Sequence, residues 1–203
     1  MDVSFVVTEH PSALTDERRQ HFERIERLLA KAAGADVRSV AYLDVGDLGT
    51  ADAVVLSGSF APWAAHDSRA LERLGDAVRA YAGPVLGICA GMQLQARFAG
   101  GAYGPAKTVL ETGFRDVEVL DDGDLLRAVP KVARMYKHHS EEIVSLPDGF
   151  RVLARSDECA VEAIADLERR WWGTQFHPEE FSPAHPAGEL VLRNFFGLAG
   201  ASQ

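Results

Sequence analysis

The sequence predicts an α/β protein: an open, mostly parallel sheet flanked by helices, with a small antiparallel or mixed sheet added to it. Three observations carry this. Over the first half, short β-branched apolar runs alternate with segments of helical periodicity. The second half holds close-set strand candidates separated by turn sequences such as Asp121-Asp122-Gly123 and Pro147-Asp148-Gly149. The 203 residues suit a single domain, 1–203, and no repeat, low-complexity tract or linker divides them.

Val3–Val7 is an apolar run of the kind found in a buried parallel strand. From about Thr15 an acidic-first helix carries Phe22, Ile25, Leu28 and Leu29 as one stripe, and Gly34 can end it. Val37–Leu43 and Ala53–Leu56 are the second and third strand candidates, the latter stopping at Ser57-Gly58-Ser59. Leu71, Leu74, Val78 and Tyr81 lie at helical spacing, and Gly83-Pro84 breaks that helix ahead of a fourth strand, Val85–Ile88. Later candidates are Phe114–Leu120, Ala133–His138, Val152–Arg155, Val161–Ile164 and Trp171–Gln175. Trp171 and Trp172 should alternate, the first filling the core and the second facing solvent or a partner. A last helix with Leu190, Val191, Phe195 and Phe196 closes the core.

A formal net charge of -9 argues against nonspecific nucleic-acid binding. No membrane span and no basic leader is visible, so a cytoplasmic setting is expected. Two cysteines, Cys89 and Cys159, give neither a disulfide framework nor a metal-ligand cluster, and no metal is expected.

The chemistry concentrates in two segments. Gly87-Ile88-Cys89-Ala90-Gly91-Met92-Gln93 follows directly on an apolar run. Glycines two residues either side of a nucleophile mark a sharp strand-to-helix elbow, which leaves no room for side chains. The start of the following helix favours a thiolate, and the Ala90 N–H can face a developing oxyanion. A cysteine is more often a small buried apolar residue. The flanking glycines reverse that for Cys89; Cys159 lacks them and reads as core. In Gly173-Thr174-Gln175-Phe176-His177-Pro178-Glu179-Glu180, an extended chain would put His177 and Glu179 on one side, base and orienter. Glu180 reads as a solvated neighbour.

These segments resemble the class I, triad-type glutamine amidotransferases, and the resemblance covers nearly the whole chain. It implies a flavodoxin-like sheet, no cofactor, and glutamine hydrolysis through a glutamyl thioester on Cys89, with His177 as proton shuttle and Glu179 orienting it. It also implies backbone oxyanion donors at Ser59 and Ala90, and substrate contacts from Gly58, Gln93, Ser140 and Glu141, the last two through backbone groups. Lys137-His138-His139-Ser140 is similar to the family's glutamine-contacting segment; for both histidines a structural or solvated role is expected. Leu146–Phe150 with Arg155-Ser156-Asp157 is most similar to the glutaminase part of guanosine monophosphate synthetases. One departure stands out. Ser57-Gly58-Ser59-Phe60 replaces the family's Ser-Gly-Gly-Pro turn, and a serine there is expected to restrict the backbone.

The resemblance implies a glutaminase supplying ammonia to a separate synthetase, since no acceptor-activating domain is visible. A stand-alone γ-glutamyl hydrolase would use the same triad. A binding protein with a vestigial site is disfavoured by the intact Cys89, His177 and Glu179.

Overall fold

The computed structural model describes residues 1–108 and 112–200. Among these the chain forms eleven strands, four α-helices and several short 3₁₀ turns. Five strands lie parallel: β2 (Asp36–Ala41), β1 (Asp2–Val7), β3 (Ala53–Leu56), β4 (Val85–Ile88) and β11 (Trp171–Thr174), in that spatial order. The same sheet runs on through four antiparallel strands: β10 (Ala163–Asp166), β9 (Arg151–Arg155), β6 (Gly113–Val119) and β7 (Val132–Lys137). The expected class holds, with one change. The antiparallel strands extend the main sheet to nine rather than forming an added one, and the small separate sheet pairs β5 (Ala102–Pro105) with β8 (Glu141–Ser145).

Strand alternation fills a core on each face. Val3, Phe5, Val55 and Leu86 point to one, Val6, Val54, Leu56 and Val85 to the other. Helix α1 (Asp16–Ala33) covers the first face with Phe22, Ile25 and Leu29, each burial stabilising by about 1.5–3 kcal/mol. The Thr15 hydroxyl caps its start by accepting from the Arg18 N–H, and Gly34 ends it in the left-handed region at φ 60°. Helix α4 (Ala187–Gly200) lies beside it with Val191, Leu192, Phe195 and Phe196. Helices α2 (Ser68–Ala80) and α3 (Ala90–Phe98) cover the other face, where Leu71, Leu74, Val78 and Leu94 are buried. Among the described residues no helix is long and apolar enough to cross a membrane.

Several boundaries move. The second strand stops at Ala41, where Tyr42–Asp44 turns as 3₁₀, and the strand expected at Val161–Ile164 runs from Ala163 to Asp166. Trp172 does not face solvent: with helices on both faces, Trp171 and Trp172 are 2% and 5% exposed, each in a different core.

Candidate active site

The parallel strands end along one edge, where an open α/β sheet takes its ligands. Cys89 leaves β4 and caps α3 with φ 51° and ψ −105°, a conformation that L side chains rarely adopt. A Cβ on Gly91 would lie 2.4 Å from the Leu56 carbonyl oxygen, and one on Gly87 would lie 2.6 Å from the backbone of Gly91 and Met92. Only glycine lets β3, β4 and α3 close on each other here. The Cys89 N–H donates to Thr174 O at 2.7 Å, tying the elbow to β11, and Gln175 Nε2 donates to its sulfur at 3.4 Å.

His177 follows β11, anchored by its N–H to Tyr136 O at 2.8 Å. Its Nδ1 donates to Glu179 Oε1 at 2.7 Å, and Glu179 is 2% exposed. The pair is brought together by a turn rather than an extended strand: Pro178–Glu180 is 3₁₀, with His177 at its cap. Nε2 is buried without a well-formed hydrogen bond, and the Cys89 sulfur is close enough to act on the ring. Burial alone would push the imidazolium pKa down. The negative charges of Glu179 and Cys89 outweigh burial and hold it well above the ordinary histidine value. Glu180, partly exposed, turns away from His177 to α1 and pairs with Arg24 and, at 3.7 Å, with His21.

A cavity of about 390 Å³ opens in front of Cys89. Ser59, Ala90, Gln93, Ser140 and Glu141 line it, together with Trp63. Among the described residues no group accepts from the N–H of Ser59 or of Ala90. Gly58 is placed differently. It packs behind the pair, where a Cβ would meet His177 Cε1 at 3.0 Å and Cys89 Cβ at 3.7 Å.

The family model of class-I glutamine amidotransferases matches residues 15–198. The chain belongs to this family. Among curated relatives, a subunit of the glutamine-hydrolysing GMP synthase from Haloquadratum walsbyi is 34% identical over 90% of this chain and 95% of its own length. The corresponding Pyrococcus furiosus subunit is 40% identical over 58% of this chain and 61% of its own, so the match spans about three fifths of that relative. A solved structure of a Thermoplasma acidophilum protein assigned as a GMP synthase subunit superposes with a TM-score of 0.80, at 28% identity over 99% of this chain and 95% of the other.

In this chain the substrate candidates are partly committed to one another. Gln93 Nε2 donates to Glu141 O at 2.7 Å and to Gln175 Oε1 at 3.1 Å, while its Oε1 accepts from Trp63 Nε1 at 3.2 Å. Glu141 O also accepts from His139 Nδ1 at 3.1 Å, so its two lone pairs are occupied. What Glu141 keeps for a ligand is its carboxylate, whose pKa burial pushes up. Burial, and then the charge of His177, lowers the pKa of His138, which bonds to Thr112 Oγ1 at 2.7 Å.

Sequence reasoning missed Glu9. This carboxylate, 1% exposed beyond the end of β1, accepts from the N–H of Phe60 at 2.7 Å and of Ala61 at 3.0 Å. It also accepts from the Ser59 hydroxyl at 3.0 Å, while Thr8 Oγ1 donates to Ser57 O at 3.0 Å. The turn after β3 is therefore held from below by the end of β1. Ser59 is not among the residues with positive φ, so the serine is not a restriction; its side chain is one of the ties. An acid two residues past a buried parallel strand was the available signal.

Proposed function

We propose that the protein hydrolyses the side-chain amide of glutamine through a thioester on Cys89 and passes the ammonia to a separate synthetase that makes GMP. The observation that carries this is the line from Glu179 through His177 to Cys89, with Cys89 in the wall of a cavity of about 390 Å³. The Cys89 thiolate attacks the carboxamide carbon and forms a C–S bond, with the oxyanion directed to the N–H groups of Ser59 and Ala90. As the C–N bond breaks, His177 gives its proton to the leaving nitrogen and ammonia departs. Water then loses a proton to His177 and adds to the thioester carbon. The C–S bond breaks to release glutamate and return the thiolate. Glu179 stays ionised throughout and stabilises the imidazolium.

The relatives that bear the name of a GMP synthase subunit support the choice of acceptor over a free hydrolase. The test is to mix the chain with the candidate synthetase from the same genome and supply glutamine labelled with ¹⁵N at the amide. Label entering GMP is the expected result; label found only as free ammonia, whichever synthetase is present, overturns the transfer. In parallel, 6-diazo-5-oxo-norleucine should label Cys89 and leave Cys159 unmodified, because burial holds the Cys159 thiol far above the ordinary range. An adduct on Cys159 in peptide maps contradicts the thioester assignment.

A further inference from the structure

Beyond the cavity wall that His139 helps form, a second group of side chains converges, and hydrolysis of glutamine gives it no task. His139, Cys159 and Glu162 come from two places in the sequence: the segment after β7, and the loop between β9 and β10, which carries both Cys159 and Glu162. One ligand atom from each lies within 4.8 Å of the others. We infer that they form a binding site for a divalent transition metal of the zinc class.

The protonation pattern supports this. A carbonyl can only accept, so the contact of His139 Nδ1 with Glu141 O makes Nδ1 the N–H and leaves the lone pair on Nε2. That Nε2 is buried and has no hydrogen-bond partner, while the opposite nitrogen is held by a carbonyl, as in a metal-ligating imidazole. Glu162 is fully buried. Its Oε1 is occupied by Lys137 Nζ at 2.5 Å and Ser156 Oγ at 2.7 Å, while Oε2 has no partner. Cys159, 1% exposed, directs its thiol at Val161 O, 3.3 Å away; metal binding would release that proton to solvent.

Charge points the same way. Glu142 and Glu162 are both buried, and among the described residues Lys137 is the one buried ammonium beside them. The three side chains leave the fourth position of a tetrahedral ion to water. In a tetrahedral zinc site with bonds of about 2.0–2.3 Å, ligand atoms stand roughly 3.3–3.6 Å apart, so small inward shifts would close this one. A set of one thiolate, one imidazole and one carboxylate selects zinc or cobalt over magnesium or calcium. Ser156, which bonds Glu162, and Glu158 line a surface groove next to the cluster. A bound ion would stiffen the segment carrying Ser140 and Glu141.

The test uses the full-length Cys89→Ser protein, in which Cys159 is the remaining thiol, stripped of metal and titrated with Co²⁺. A near-ultraviolet thiolate-to-cobalt band should saturate at about one ion per chain and be displaced by Zn²⁺, which binds more tightly. Adding Cys159→Ser should remove the band, and Glu162→Gln should weaken Co²⁺ binding about tenfold or more. No band in the folded Cys89→Ser protein overturns the proposal and leaves the glutaminase reading untouched. A band that survives Cys159→Ser, or an affinity unchanged by both Glu162→Gln and His139→Gln, also overturns it.

Discussion

His177 owes its charge to its neighbours, and its titration can be read as their signature. Glu179→Gln removes the largest single raising influence, the carboxylate charge, so the His177 midpoint should fall; NMR of the imidazole measures it. The sign for stability follows. A folded-state pKa above the unfolded value of about 6.5 means the imidazolium favours the fold below that pH, and the contribution is lost as pH rises through the raised value. The loss caused by His177→Gln in urea melts should therefore be largest near pH 6 and shrink in alkali. Glu180→Gln should leave the turnover near that of the parent, because its partners are on α1, whereas Glu179→Gln should cost far more. Glu9 is the other residue whose effect exceeds its visibility. Glu9→Gln leaves donors facing donors under the turn of Ser59, and kcat for glutamine should drop about tenfold or more with KM less affected. For the same reason Ser59→Gly, which cuts a tie, should lower the rate and not raise it.

The elements legible in the sequence were those whose burial is complete. β1, β3 and β4 read as strands because helices cover both faces, which calls for apolar residues on both sides of the strand. Helix α1 declared its own cap, stripe and stop. β5 and β8 were not legible: Ala-Tyr-Gly-Pro and Glu-Glu-Ile-Val-Ser are strands only because each has the other to pair with. Cys89, His177 and Glu179 were legible for a similar reason, since the tight elbow and the histidine turn each need a particular local sequence. The cradle of Thr8 and Glu9 was not, because its meaning lies in contacts some fifty residues away. The elbow itself can be tested by size. Gly91→Ala puts a methyl against the Leu56 carbonyl and should destabilise by about 1–3 kcal/mol or more in denaturant titration, with activity falling as β3 shifts. Trp172→Ala should cost about 3–5 kcal/mol without touching the site.

For the molecule as a whole, the order of strands in space departs from their order in the chain. β11, the latest strand in sequence, lies between β4 and β10 and joins the parallel half to the antiparallel half. It also supplies Thr174 O to the elbow and leads into His177. Contacts so distant in sequence are closed slowly, against a large loop entropy. During synthesis, then, the ribosome has released more than eight tenths of these 203 residues before the middle of the sheet exists. Until that moment the edge of β4 stands open to other chains, and the nascent polypeptide holds a cysteine with no base beside it. A ribosome stalled before residue 163 should carry a protease-sensitive, glutamine-inert chain, and one stalled after the full sheet has emerged should carry an active one. The cell thus receives the proposed activity all at once, when β11 takes its place, and never from the strands made before it.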